Sequence, residues 1–382
     1  MPAAPTSFGL GFGTRFGPRL GMGLAAVALC LACSTETPTS SAAAGDPGSV
    51  AADPGGGSRT IAVACQAGHT IDPSVRAAVE GQARVLVQAL HDGKTDALWD
   101  ELHPQARRDD QRQPFMDALS SMRDRLRGTS GEPQLESVHV VDLSGGANDL
   151  ARVQCGAPDD PRRFTLMVNA GGEDVAVVVL RAPEGAPGSE SEQAITVQLR
   201  QRGEHWHLLG IQVNPSTWQG KDAVGWEMMG DVYMSQQKVV MGYLLLGLAQ
   251  TLSDRGASIT SAMHARIEDK LAAIQRDRLF AAETGIWTVG DARFRIEGLS
   301  LVATRRDISP VIKYVSPQGL VEELLDRDAD ALVEEVRRRF PELQQHFDAV
   351  VFEAYAQVPS QPGQSYQAYR IVRFLDPTKA RG

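Results

Sequence analysis

The sequence predicts an α+β protein, and three observations carry that prediction. Apolar residues recur at helical spacing through residues 73–126, then at strand spacing through residues 137–213. The middle of the chain, 220–283, is helical in pattern throughout. The last part, 284–376, mixes short strand-like runs with one long amphipathic helix.

The chain opens on a segment of a different kind. Residues 1–19 carry Arg15 and Arg19 and no acid, and residues 20–32 are an almost unbroken apolar run. That run suits an export signal and is short for a membrane span, which needs about 20 apolar residues. Leu31-Ala32-Cys33-Ser34 resembles the lipobox of bacterial lipoproteins, with Cys30 standing where Leu is usual and Leu31 larger than the common Ala or Ser. The resemblance implies cleavage before Cys33, a lipid (palmitate-type acyl chains) on Cys33, and a membrane tether outside the cytoplasm. Ser34 after the cysteine implies outer-membrane sorting. An ordinary signal peptide cut nearby and an uncleaved anchor helix are the alternatives. Cys30 and Cys33 also spell CxxC, but an export core supplies no folded redox or zinc context.

Residues 34–58 are Ser, Thr, Ala, Gly and Pro with a few acids, and Val50 is their only large apolar side chain. Such a stretch buries too little surface to offset its ordering entropy, so it reads as a disordered leash. Loss of the signal removes two positive charges from a formal net charge of −9. No Lys/Arg cluster interleaves with aromatics, which argues against nucleic acid as a partner. No second apolar run is long enough to cross a bilayer; the longest, 239–249, is of buried-helix length.

The first folded region spans 59–219. A strand is expected at 59–65, then a helix with Asp72 at its N-cap and Pro73 at its first position, ending at Asp92-Gly93. Two further helices are expected at 95–102 and 114–126. Strands follow at 137–143, 150–155, 164–169, 175–181, 194–201 and 205–213, joined by short turns that favour antiparallel pairing. Ile195, Val197 and Leu199 alternate with Thr196, Gln198 and Arg200, the pattern of a strand wet on one face. Cys65 and Cys155 fall in the strands 59–65 and 150–155, which are expected to lie side by side. They are either a disulfide, as an oxidising compartment allows, or two buried thiols.

The segments VLVQALHDGKTDALWDELHPQARR, FMDALSSMRDRLRG and AITVQLRQRGEHWHLLGIQVNP together resemble the ketosteroid isomerase-like, or nuclear transport factor two-like (cystatin-like), cone fold. The resemblance implies a curved antiparallel sheet wrapped round three helices, with a pocket between. Some members are enzymes that use carboxylates, Tyr or His inside that pocket, and no such constellation can be matched here. His205 and His207 sit at i, i+2 on one strand, but no Cys, Asp or Glu at useful spacing completes a metal site. They read as exposed or hydrogen-bonded structural histidines.

In the helical middle, Trp226, Met229, Gly230, Tyr233, Gly242, Leu246 and Ala249 are similar to one tetratricopeptide unit. One unit cannot bury its face alone, so a hairpin docked on its neighbours is expected. The Trp226, Met228, Met229, Tyr233, Met234 and Met241 stripe is either core or a partner groove. One further helix is expected at 257–283. In the last region strands are expected at 286–289, 292–296, 299–304 and 311–315, then a helix at 320–339, a short helix after Phe340, and a strand pair at 350–356 and 366–374; residues 377–382 form a tail. Arg337, Arg338 and Arg339 are either an exposed cationic patch or charges complementing a helix end.

No GxSxG, HExxH, phosphate loop, dinucleotide fingerprint or zinc spacing occurs. The sequence therefore assigns no catalytic, cofactor-binding or metal-ligating residue. It predicts a lipid-tethered envelope protein that binds an envelope protein or a small hydrophobic ligand; the alternative is a cone-fold enzyme of isomerase or cyclase type acting on a hydrophobic small molecule.

Overall fold

The computed structural model describes residues 65–129, 131–143, 150–157, 163–169, 172–183, 191–277, 283–303, 308–357 and 367–378. The expected signal, Cys33 as the expected lipidation residue, the leash expected at 34–58 and positions 59–64 of the first expected strand lie outside the described residues.

The protein is mixed α+β, with curled, largely antiparallel sheets. Strand β1 (Cys65–Ala67) leads into helices α1 (Pro73–His91), α2 (Thr95–Asp100) and α3 (Arg112–Leu126). The start of α1 follows from its sequence. The Asp72 carboxylate accepts from the Ser74 and Val75 amides at 2.8 and 3.3 Å, and Pro73 needs no partner for a missing N–H. Its end follows too. Gly93 has φ +74°, the left-handed region that favours glycine.

Strands β2 (Gln134–Val141), β3 (Leu150–Cys155), β4 (Phe164–Asn169), β5 (Val175–Pro183), β6 (Glu192–Arg202), β7 (His205–Trp218) and β8 (Lys221–Asp222) follow. They do not form one sheet. The large sheet has the order β1-β2-β5-β6-β7-β8, while β3 and β4 leave it and pair with β9 (Ile259–Ser261) in a small second sheet. The physical reason lies in β5. Its Ala176, Val178 and Leu180 pack on the helices, and its Val175, Val177 and Val179 pack on the small sheet. A strand apolar on both faces must be covered on both.

That outer layer overturns one expectation and refines another. Strand β6 is not wet on one face: Thr196 and Arg200 are each 2% exposed. Gln198 donates to the Ser258 hydroxyl at 2.7 Å, and Arg200 donates to the Gln105 carbonyl oxygen at 2.8 Å. The two cysteine strands are neighbours in space but are not hydrogen-bonded to each other. Strand β1 pairs with β2 and β3 with β4, so Cys65 and Cys155 belong to facing sheets. They are joined as a disulfide.

Helices α4 (Ala223–Ser235) and α5 (Val239–Ser253) form the expected hairpin. Its close approach rests on two glycines. A Cβ on Gly230 would lie 3.0 Å from Leu246 Cγ, and one on Gly242 would lie 3.0 Å from the Gly230 carbonyl oxygen. The single helix expected at 257–283 is instead β9 followed by α6 (Ala262–Arg276), because Ser261 caps the helix by accepting from the His264 amide at 2.9 Å. Buried Glu227 ties α4 to α6 through paired bonds from Arg266 at 2.9 and 2.6 Å and an ion pair with Lys270 at 2.9 Å.

The last region is a five-stranded sheet of order β10-β11-β12-β13-β14. Its strands are β10 (Gly285–Val289), β11 (Ala292–Ala303), β12 (Ile308–Val315), β13 (Ala349–Tyr355) and β14 (Ala368–Phe374), with α7 (Glu322–Arg339) crossing between β12 and β13. The two strands expected at 292–296 and 299–304 are one strand with a bulge between Ile296 and Gly298. The β12–β13 pair is parallel, as the crossover helix requires. One continuous core, running from Trp218 to Leu375, joins the hairpin, α6 and this sheet. No helix among the described residues is long and apolar enough to cross a membrane.

Candidate functional site

The features singled out in the sequence are placed apart from one another. His205 is exposed, and the half-buried His207 sets its ring edge-on to His103 at 6.2 Å. Trp226 and Met241 are core, whereas Val224, Met228 and Val232 form an exposed i, i+4, i+8 stripe on α4. The three terminal arginines of α7 are engaged. Arg337 donates to the carbonyls of Phe374 and Leu375, Arg338 and Arg339 bind Glu335, and Arg339 lies 4.9 Å over the Trp287 ring. They act as helix-end ties rather than as a patch.

No spacing in the sequence marks the cluster of His103, Arg200 and Glu173 at the outer face of the large sheet. His103 Nε2 lies 3.0 Å from Glu173 Oε2, and Arg200 Nε lies 3.4 Å from the same oxygen. His103 Nδ1 accepts from the Gln105 amide at 3.3 Å, which leaves the ring proton on Nε2. Burial pushes the His103 pKa down, against the opposing pull of Glu173. The cluster fixes the turn after α2 to β7, where the His103 amide donates to the Leu208 carbonyl at 2.7 Å.

Two cavities stand out. The smaller, about 490 Å³, lies where α3, β7 and α5 meet the C-terminal sheet. Most of its charges are already matched. Arg125 donates to the Val213 carbonyl at 2.8 Å, Glu353 accepts from Arg370 at 2.6 Å and from Tyr355, and His264 contacts the Ser253 hydroxyl at 3.1 Å. This is a polar junction between units.

The larger cavity, about 640 Å³, is a cleft between α1, the end of α3 and the helix-covered face of the large sheet. Its floor is Val87, Leu126, Leu180, Ala182 and Ile195, all buried. The helices supply this floor because α1 turns Val87 inward one turn after Ala83, while β5 and β6 present alternate residues to it. The polar residues among the described lining, Arg84, Gln88, His91, Lys94, Thr129 and Glu132, are half-buried or exposed. Arg84 donates to Glu132 and to the Pro133 carbonyl, each at 2.8 Å. Lys94 pairs with Asp92 at 2.9 Å, and hydrogen bonds from Lys94 and Gln88 hold the Asp92 carboxyl below its ordinary pKa. Val85 and Ala97 are exposed at the mouth. Among the described lining residues, no ionisable group is buried.

Comparison with family models, with curated proteins and with solved structures gives no match for this chain.

Proposed function

We propose that this chain is a lipid-tethered protein of the bacterial envelope whose first unit is a cone-fold domain, and that its cleft holds a hydrophobic small molecule. The observation that carries this reading is the cleft of about 640 Å³ with an apolar floor and a charged rim. That size falls within the range of small-molecule sites, and its division of apolar floor and polar mouth matches an amphipathic occupant. Apolar burial contributes about 25 cal/mol per Å², so covering roughly 300 Å² of ligand is worth about 7 kcal/mol before ordering costs. The rim, where Glu132 engages Arg84 and Asp92 engages Lys94, suits one polar end left facing water.

The tether fits the same role. A lipid on Cys33 and the leash at 34–58 hold the cleft near a membrane surface, where sparingly soluble molecules concentrate. Binding is favoured over cone-fold catalysis because an enzyme of that kind needs ionisable groups against the reacting atoms, and here the described ones stand at the mouth.

Native mass spectrometry of the full chain, extracted from bacterial membranes in mild detergent, tests the proposal. It expects one apolar molecule per chain, lost in an Ala97→Trp variant that fills the mouth. An empty cleft in the wild-type protein, with no uptake from a lipid extract, overturns it. Labelling with radioactive palmitate tests the tether separately: wild type incorporates label and Cys33→Ser does not.

A further inference from the structure

A second site lies on the opposite side of the large sheet, independent of the cleft. The Cys65 Sγ, the Cys155 Sγ and a ring nitrogen of His139 all lie within 4.8 Å of one another. They come from three strands in two sheets. Cys65 pairs opposite Val141 on β2, two residues along from His139, so Cys65 and His139 share one face. Cys155 faces them from β3 of the small sheet and is fully buried, while the other two are half-buried. Phe164 holds the imidazole edge-to-face at 4.7 Å. The disulfide occupies this cluster.

We infer that Cys65, Cys155 and His139 form a redox-gated site for a thiophilic divalent cation such as Zn²⁺, closed by the disulfide and opened by a dithiol or phosphine reductant. Two thiolates and one imidazole are the donor set that zinc and its neighbours prefer over calcium or magnesium. Zinc–ligand bonds of about 2.0–2.3 Å put donor atoms between 3 and 4 Å apart, so the cluster needs only a small adjustment once the S–S bond is gone. Among the described residues, strand β1 is three residues long and at the sheet edge, which lets Cys65 make it. Three protein ligands leave a fourth position for water or another donor.

The chemistry balances. A tertiary phosphine gives two electrons to the disulfide, the S–S bond breaks, and water supplies the oxygen of the phosphine oxide and one proton for each sulfur. The cation then displaces one proton from each thiol, and two thiolates neutralise its charge. Disulfide and metal are mutually exclusive occupants.

The test uses the full-length protein reduced with tris(2-carboxyethyl)phosphine under argon, freed of reductant and titrated with Co²⁺ as a spectroscopic stand-in for zinc. The expected result is one Co²⁺ per chain, with thiolate charge-transfer and intense tetrahedral d–d bands absent from the oxidised protein. Cys155→Ser abolishes them, and His139→Ala weakens binding about tenfold or more while circular dichroism shows an intact fold. Zinc competes the cobalt out. A reduced protein that binds cobalt no better than the oxidised one overturns the inference. So does a spectrum that His139→Ala leaves unchanged, which shows only two free thiols at work.

Discussion

Cys65 and Cys155 join the edge of the large sheet to the small sheet packed on its outer face, closing a sequence separation of 90 residues. The bridge is therefore a staple between layers. Within a single sheet, ladder hydrogen bonds would already hold the partners.

A loop of that length gives a constraint worth about 4–5 kcal/mol in the chain-entropy picture. The double variant Cys65→Ser, Cys155→Ser is expected to lose stability of that order in urea unfolding. Far-UV circular dichroism is expected to stay native, since the apolar face of β5 still needs its cover. A loss under 1 kcal/mol contradicts the staple.

Gly242 sets the distance between α4 and α5. A leucine there has no room against the Gly230 carbonyl and is expected to cost about 1–3 kcal/mol as overpacking. Gly242→Ala meets Met234 Cγ at 2.6 Å and the Gly230 carbonyl oxygen at 3.0 Å, a crowding that offsets its gain in helix propensity of about 1 kcal/mol. The alanine variant is therefore expected near neutral, and Met234→Ala is expected to be less harmful in its presence than alone. Thermal unfolding of the four proteins checks the coupling.

Glu227 has its pKa lowered to about 2, first by its bonds from Arg266 and then by Lys270. A lowered carboxylate contributes stability that is complete above its unfolded pKa and lost as pH falls through the folded one. The contribution is thus present above pH 4.5 and fades toward pH 2. Arg266 is half exposed, so solvent screening limits the effect; Glu227→Gln is expected to cost about 2 kcal/mol at pH 7 and little at pH 2. Urea midpoints at the two pH values measure this.

His103 works in the neighbouring pH window. Its pKa is lowered by burial, so the unfolded chain takes up the proton first as pH falls below about 6.5. Stability is expected to drop between pH 7 and 5, and His103→Gln is expected to flatten that slope. An unchanged slope in the variant means that His103 does not carry it.

Sequence pattern made the local elements legible and left the long-range pairings dark. Asp72-Pro73 and Gly93 mark the ends of α1 because caps are chemical and local. Strand β9 is three residues long and pairs Ser261 with Phe164, nearly a hundred positions away, so no periodicity announces it. Missing β9 hid the second sheet, and with it the burial of Arg200. The unbroken apolar run from Val175 to Leu180 was the available clue, since a strand wet on one face has no use for it. The cleft was not legible in the sequence. Its floor is made of ordinary core residues, and a hollow among them is set by how α1 and α3 sit on the sheet, which spacing alone does not encode.

Titration of an uncharged naphthylamine fluorophore into the 59–382 fragment tests the central claim most directly. The account predicts saturable, one-site binding with blue-shifted emission, weakened at least about tenfold by Ala97→Trp and by Val85→Glu. Both changes fall on exposed rim positions and leave the core alone. Emission that does not saturate, or that both variants leave unchanged, contradicts a binding cleft at this site.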